Sequence, residues 1–400
     1  MAAAKHLGLK CAPAIRVEHL NEVEVRAYRI ADNKLAETAD WDEALLSIEL
    51  GEIEVLGFDL ELTGFETPEI DILFSAEESE TDPADAVDEE LLTGPAVSKL
   101  GDVWQIGPHR LVCGDALKSE TYTALLGGEC ADMVFTDPPY NVPVKGHMGG
   151  LGSVQHREFV MASGEMTPEE FLTFLRSTMK HARKATRPGG VVFTCMDWRS
   201  IAPLIEATEQ SDLEILNLCV WNKSNGGMGS LYRSKHELIV VARVPGTSHI
   251  NNVELGKHGR NRTNVWDYPG ANTPGGQMDA LKLHPTVKPV ALVADAIQDV
   301  SKRGDVVLDL FAGSGTTLIA AERIGRKARL IELDPIYVDT TIRRVEAACG
   351  LTAILEDSGE TFLEVQARRT DVSSGTERPA RHRVRQRNPE ANSADAGRAV

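Results

Sequence analysis

Apolar and polar positions divide the chain into two regimes. From residue 99 onward, short apolar runs alternate with longer amphipathic stretches. The runs at 110–113, 133–136, 191–195, 215–221, 238–241, 306–310 and 328–331 are short and rich in Val, Ile and Leu, which predicts strands. Between several of them, apolar residues at helical spacing predict helices over 168–185, 202–211, 290–300, 317–324 and 335–347. Strands separated by helices of this length predict an α/β fold with a doubly wound sheet over 99–352. The earlier part reads differently. Trp41, Ala44, Leu45 and Ile48 follow helical spacing up to Gly51, and 54–62 alternates like a strand, so residues 1–63 are expected to form a small α+β module.

Charge sharpens the division. The net charge is −18, which taken alone argues against a polyanionic partner. From Leu35 to Ser98, however, there are 20 Asp and Glu and not one Lys or Arg, so one segment carries nearly all the acidity. Within it, Glu77, Glu78, Glu80, Asp82, Asp85 and Asp88 sit in a stretch too poor in apolar residues to form a core, which predicts an acidic linker over 64–98. Charge alone would also let that linker fold over a basic face elsewhere in the chain. Residues 223–288 supply such a face, with 9 Lys or Arg against 4 acidic residues in a Gly-rich, irregular stretch. Residues 146–152 are similarly irregular, and the Arg-rich end, 366–400, reads as disordered. Six scattered cysteines without a C-x-x-C pair argue against a disulfide framework or a zinc site. There is neither an apolar run of membrane length nor a secretory h-region, so a cytoplasmic protein is expected.

Two motifs carry chemistry. Val306-Val-Leu-Asp309-Leu-Phe311-Ala312-Gly313-Ser314-Gly315-Thr316 is an apolar strand entering a Gly-x-Gly turn and a helix. Such a turn lets backbone approach a ligand, and the helix start offers free N–H groups. About twenty residues later a second strand ends in Glu332 and Asp334. An acid there can accept from ribose hydroxyls; spacing favours Glu332, while Asp334 ahead of Pro335 suits a helix cap. No Walker lysine follows the glycines, which disfavours ATP. The second motif, Met133-Val-Phe-Thr-Asp137-Pro138-Pro139-Tyr140, ends a strand in a carboxylate, rigidly held carbonyls and an aromatic ring. That set can grip the amino group of a planar base.

These residues resemble the S-adenosylmethionine-dependent amino-methyltransferases of DNA, with the catalytic Asp-Pro-Pro-Tyr ahead of the cofactor Phe311-Ala-Gly-Ser-Gly, as in the permuted β arrangement of that family. His284-Pro-Thr286-Val-Lys288-Pro289 resembles the family's motif X beside the methionine part of the cofactor, and Val112-Cys-Gly-Asp115 the strand end near the adenine. Trp221-Asn-Lys and Tyr232-Arg-Ser-Lys-His-Glu-Leu resemble bacterial and phage members. The resemblance spans about 102–349 and implies a Rossmann-like class I methyltransferase fold with a mixed sheet. It further implies S-adenosyl-L-methionine without a metal and double-stranded DNA as partner. The implied cofactor residues are Asp115, Thr286, Lys288, Pro289, Asp309, Phe311, Ala312, Gly313, Ser314, Gly315, Thr316 and Glu332. Asp137, Pro138, Pro139 and Tyr140 are the implied catalytic set, acting on a flipped base with Tyr140 stacked on it.

The Asp at the first motif position leans toward adenine N6, with cytosine N4 as the alternative. Methylation of RNA or of a protein glutamine fits less well, because families of those activities place the cofactor motif first. Lys223, Arg233, Lys235, Lys257, Arg260 and Arg262 are the expected DNA contacts. The N-terminal residues Val23–Glu37 with Trp41-Asp resemble the C-terminal part of a ParB/sulfiredoxin-like domain over about 3–62. The phosphate-binding motif expected before the Ala3–Gly8 helix is absent, so the module is read as truncated or degenerate, with a structural or interaction role. A non-catalytic ParB-like DNA-binding protein is the competitor from another class, disfavoured because the missing motif is its own whereas the methyltransferase set is intact. A nucleoid-associated location in a bacterium or phage follows from the resemblance, and a homodimer is one assembly open to the chain.

Overall fold

The computed structural model describes residues 25, 41–75, 82–85, 92, 94–142, 164–224, 226, 231–257, 260–270 and 287–374. It divides into two compact units, Met1–Ser75 and Ala76–Val400. No helix among the described residues is long and apolar enough to cross a membrane.

In the first unit, helix α1 (Glu43–Val55) starts where the Asp42 side chain accepts from Leu45 N, and helix α2 (Thr67–Phe74) starts with Pro68 and a reciprocal Glu66/Glu69 capping box. A 3₁₀ turn at Leu60–Thr63 lies between them. Leu46, Leu50, Leu60 and Ile70 form a small core. Three expectations change here. The strand expected at 54–62 is the end of α1 and the 3₁₀ turn, so the described part of this unit is helical rather than α+β. The buried side of α1 is Leu46 and Leu50, whereas Trp41, Leu45 and Ile48 are exposed. Residues 67–74, expected in a linker, are helical because Ile70 has the Leu46–Leu50 face to bury against. The expected Ala3–Gly8 helix lies outside the described residues.

The second unit is built on one ten-stranded sheet. In chain order its strands are β1 (Val103–Ile106), β2 (His109–Cys113), β3 (Ala131–Thr136), β4 (Thr186–Met196), β5 (Glu214–Asn222), β6 (His236–Arg243), β7 (Val265–Asp267), β8 (Val306–Asp309), β9 (Lys327–Glu332) and β10 (Ala353–Leu355). Their order across the sheet is β10-β1-β2-β9-β8-β3-β4-β6-β5-β7. The five strands β2, β9, β8, β3 and β4 run parallel, and β6 is inserted antiparallel between β4 and β5. Helices α3 (Ser119–Leu126), α4 (Pro168–Ala185) and α5 (Ile201–Glu209) cover one face, and α6 (Val290–Val300), α7 (Thr316–Arg323), α8 (Pro335–Cys349) and α9 (Phe362–Ser374) the other. Alternate residues of β3 serve the two layers, Met133 and Phe135 on one side and Val134 on the other. Strands buried on both faces read as continuous apolar runs, which is why the central ones are legible from the sequence. The result is the mixed, doubly wound α/β sheet that the sequence predicts.

The unit extends beyond the expected limits at both ends. Residues 82–85, expected in a free acidic linker, lie against the sheet's helices. Asp82 pairs with Arg323, the Asp85 carboxylate accepts from Val290 N at 2.8 Å, and the Ala84 carbonyl accepts from Arg344 Nε at 3.0 Å. Val97 N and Ser98 N donate to the Asp339 carboxylate at 2.6 and 2.9 Å. At the other end, residues 366–374 are not disordered but belong to α9, anchored by Phe362 and Val365 in the core and by Arg369 donating to the Asp102 carboxylate and the Val97 carbonyl. Residues 375–400 and 146–152 lie outside the described residues.

Candidate active site

Both motifs emerge at the carboxyl ends of adjacent parallel strands, the edge where open α/β sheets leave a crevice. β3 ends at Thr136 and β8 at Asp309. The buried Asp309 carboxylate accepts from Thr136 Oγ1 at 3.0 Å, from Phe311 N at 3.1 Å and from Thr317 Oγ1 at 2.7 Å. One side chain thus ties the end of β3, the glycine turn and the first turn of α7 together. Burial pushes its pKa up to about 6 against the pull of those three hydrogen bonds.

The glycine turn is closely fitted. Gly315 has φ 83°, and a Cβ there would meet Thr341 Cγ2 at 2.5 Å, so only glycine seats α7 against α8. Gly313, at φ 52°, has nothing within 4 Å of its Cβ position, which leaves open space in front of the turn. Its N–H donates to Glu332 Oε2 at 2.8 Å, and Glu332 Oε1 accepts from Asp334 N at 2.8 Å. Glu332 is half-buried among these groups, and desolvation pushes its carboxyl up to about 7 despite both backbone donors. Asp334 caps α8 through Ile336 N at 3.0 Å, the role expected of it. Ser314 is held by Arg344, which donates to its carbonyl at 2.8 Å and its hydroxyl at 3.0 Å and reaches Thr316 Oγ1 at 2.9 Å. Phe311 packs against Phe174, and Ala312 is buried. Asp115, just beyond β2, turns its carboxylate onto Leu117 N at 2.9 Å. An open-sided glycine, a helix start and a half-buried acid at the next strand end fit a nucleoside ligand.

At the end of β3, Asp137 is the hub of a part-buried polar cluster. Tyr140 donates its hydroxyl to Asp137 Oδ1 at 2.6 Å and lies 3.3 Å from Glu237 Oε2. Lys288 Nζ donates to Asp137 Oδ2 at 2.5 Å and pairs with Glu237 Oε2 at 2.9 Å. Lys223 closes the set by pairing with Glu237 Oε1 over the ring of Trp221. Burial opposes the Lys288 charge, but Asp137 and Glu237 hold the ammonium protonated well above the usual lysine range. Burial likewise opposes ionisation of Glu237, and the two lysines outweigh it and hold the carboxyl down. Burial and the neighbouring carboxylates keep the Tyr140 phenol neutral. The loop is braced by Asn141, at φ 56°, whose side chain bonds the backbone of Gly164 and Met166.

The expected residues are therefore sorted by the fold. Lys288, expected at the cofactor, reaches into the Asp137 cluster, while Pro289 precedes α6 and Thr286 lies outside the described residues. Among the expected DNA contacts, Arg260 and Arg262 are committed elsewhere. Arg260 Nη2 pairs with Asp299 at 2.8 Å and Asp295 at 3.1 Å, and Arg262 meets the same two carboxylates, each at 2.8 Å. They fasten their loop to α6 in a nearly desolvated network. Lys223 belongs to the Glu237 pair, and Lys257 pairs with Glu254 at 3.1 Å. Arg233 and Lys235 are exposed, beside Leu231 and Tyr232, which are 82% and 85% exposed. Sequence reasoning misses Glu237 and Arg344. The first lies inside a quoted motif; the second has no local signal, because its partners at 84 and 314 are distant in the chain.

Residues 131–343 match the family described as DNA methylase, of N6/N4 type, and residues 44–100 match the ParB-methyltransferase HTH domain. The second match crosses the boundary expected at 63/64, so residues assigned to a truncated module and to a linker fall in one matched domain. Type II methyltransferase M2.DpnII of Streptococcus pneumoniae is 31% identical over 248 residues, covering 59% of this chain and 89% of the relative. Type II methyltransferase M2.LlaDCHI of Lactococcus lactis subsp. cremoris is 31% identical over 228 residues, 54% of this chain and 82% of the relative. Among solved structures, TTHA0409 of Thermus thermophilus, described as a DNA modification methylase and determined with S-adenosyl-L-methionine, is 24% identical at a TM-score of 0.43 over 60% of this chain and 95% of its own. The cytosine-N4-specific PvuII DNA methyltransferase is 17% identical at a TM-score of 0.45 over 66% of this chain and 92% of its own. With residues 131–343 matched and most of two 31%-identical relatives covered, the chain belongs to the DNA methylase family of N6/N4 type.

Proposed function

We propose that this DNA methyltransferase transfers a methyl group from S-adenosyl-L-methionine to the N6 amino group of adenine in duplex DNA. The observation that carries the reading is the position of Asp137. Its carboxylate stands at the end of β3, tied through Thr136 and Asp309 to the glycine turn, and its oxygens already take an N–H and an O–H donor. A carboxylate so placed can take the amino hydrogens of a base.

S-adenosyl-L-methionine, when bound, supplies an electrophilic methyl group on a sulfonium. Glu332 would accept from the ribose hydroxyls, the Phe311–Gly315 turn and the start of α7 would line the nucleoside side, and Asp115 would flank the adenine. Asp137 and the Pro138 carbonyl would accept the two N–H bonds of the target amino group, which favours a localised nitrogen lone pair. The protein's contribution is then alignment and charge placement more than acid–base chemistry. The amino group is out of reach inside a duplex, so the base must leave the stack. The matched ParB-methyltransferase HTH domain supports duplex DNA as the substrate.

Incubation of plasmid DNA with the protein and labelled S-adenosyl-L-methionine, followed by digestion to nucleosides, tests the reading. N6-methyladenine is the expected product. N4-methylcytosine alone overturns the choice of base, and unlabelled DNA overturns the reading as a whole.

A further inference from the structure

Both donors on Asp137 share one alternative acceptor. Lys288 Nζ on Oδ2 and the Tyr140 hydroxyl on Oδ1 each also lie within reach of the same atom, Glu237 Oε2, at 2.9 and 3.3 Å. Glu237 does not depend on them for its position, because Lys223 pairs with its other oxygen. The Lys288 side chain is 8% exposed and lies over Trp221, with its ammonium 5.8 Å from the ring centroid. A buried ammonium cannot give up an anionic partner for nothing. It can give up one of two.

Resting on the proposed function, we propose that Lys288 is a gate on Asp137 and Glu237 its release point. In the base-free protein the Lys288 ammonium fills the hydrogen-bonding position on Asp137 Oδ2 that the target amino group takes. When the base enters, Lys288 stays with Glu237, and Tyr140 can follow it. The part-buried cluster of Asp137, Glu237, Lys223 and Lys288 is balanced in formal charge, and a neutral base leaves it balanced. A base without an amino group offers Asp137 nothing in exchange for the ammonium, so the gate also favours amino-bearing bases. Glu237 acts through Lys288 and is a positioning residue.

The test is a double-variant cycle on the full chain, with plasmid DNA as acceptor and folding checked by circular dichroism. In Glu237→Gln, Lys288 keeps Asp137 as its sole anionic partner among the described residues and competes harder with the base. The KM for DNA is expected to rise about tenfold, the scale of one charged hydrogen bond broken without replacement, while S-adenosyl-L-methionine binding changes little. Adding Lys288→Met removes the competitor, so Glu237→Gln/Lys288→Met is expected to bring KM most of the way back to the wild-type value. A glutamate that merely supported the fold would give no such rescue. An unchanged KM in Glu237→Gln, or a folded double variant no better than the single one, overturns the gate alone. A wild-type protein that labels no DNA overturns the proposed function and the gate with it.

Discussion

The Thr136 hydroxyl donates to the Asp309 carboxylate at 3.0 Å and accepts from Leu310 N at 3.2 Å, joining the last residue of β3 to the last residue of β8. The Asp137–Tyr140 turn and the Phe311–Gly315 turn start from those two residues, so this contact sets their spacing. Thr136→Val keeps the shape and removes the hydroxyl, leaving a buried amide and a buried carboxylate each short of a partner. The expected loss is about 1–3 kcal/mol in urea unfolding. The turnover of methyl transfer should fall further, by up to about a hundredfold, because small misplacements of reacting groups are costly. Thr136→Ser keeps the hydroxyl and should retain most of both.

Glu332 predicts how cofactor binding responds to pH. Its carboxyl is pushed up to about 7, chiefly by burial, so the free protein keeps it protonated up to neutrality. Ribose hydroxyls need an acceptor, which is the ionised form. Affinity for S-adenosyl-L-methionine should therefore rise with pH through 7 and level off above it, being about tenfold weaker at pH 6 than at pH 8. Titration calorimetry at the two pH values checks this, and Glu332→Gln should flatten the dependence. The same shift has the opposite sign for the stability of the free protein. An acid whose folded pKa is raised holds its proton better when folded, so its contribution falls as pH rises from about 4.5 to 7.

Arg344 links the acidic segment to the cofactor turn. It donates to the Ala84 carbonyl from two nitrogens and to Ser314 and Thr316 from a third. Burial lowers its pKa to about 10, with Asp85 and Asp82 opposing the fall, so it remains charged at neutral pH. Arg344→Met should weaken S-adenosyl-L-methionine binding about tenfold and cost about 2–4 kcal/mol, since several buried acceptors lose their donor together. Deleting residues 82–85 should reproduce the loss of cofactor affinity. Equilibrium binding and thermal unfolding of both variants check the link.

What is legible in the sequence has a local signature. Helix α4 announces itself through Thr167, Pro168 and Glu170 at its start and an apolar stripe from Phe171 to Ala182. The strand–turn–helix of β8 and α7 and the Asp137 turn are readable for the same reason. Strands β1, β7 and β10 escape a sequence reading because three or four residues carry no period. Helix α9 escapes it because its burial rests on Phe362 and Val365 meeting a core assembled from distant residues, Trp104 among them. The acidic segment misleads for a related reason. Asp82 and Asp85 look like solvated charge until Arg323 and the start of α6, more than two hundred residues away, are brought to them. Composition describes what a segment lacks, and long-range hydrogen bonds are invisible to it.

The same limit bears on which cations are expected to meet DNA. Arg260 and Arg262 are basic residues in a glycine-rich stretch, yet their side chains are 9% and 17% exposed and each contacts both Asp295 and Asp299. Arg262→Ala leaves one guanidinium between two largely buried carboxylates, and about 3–5 kcal/mol of stability should be lost. DNA affinity should then change only as far as the folded fraction does. Arg233 and Lys235 are exposed, on the connection between β5 and β6 that leads directly to Glu237. Replacing each of them by Ala should leave unfolding unchanged and weaken DNA binding. The slope of log affinity against log salt should also become shallower by about 0.9 for each phosphate contact removed. Fluorescence anisotropy across a salt series, run beside urea unfolding on the same variants, separates the two classes. If Arg262→Ala lowered the salt slope at full stability, its ion pairs would have to open on DNA, and the division drawn between these arginines would fail.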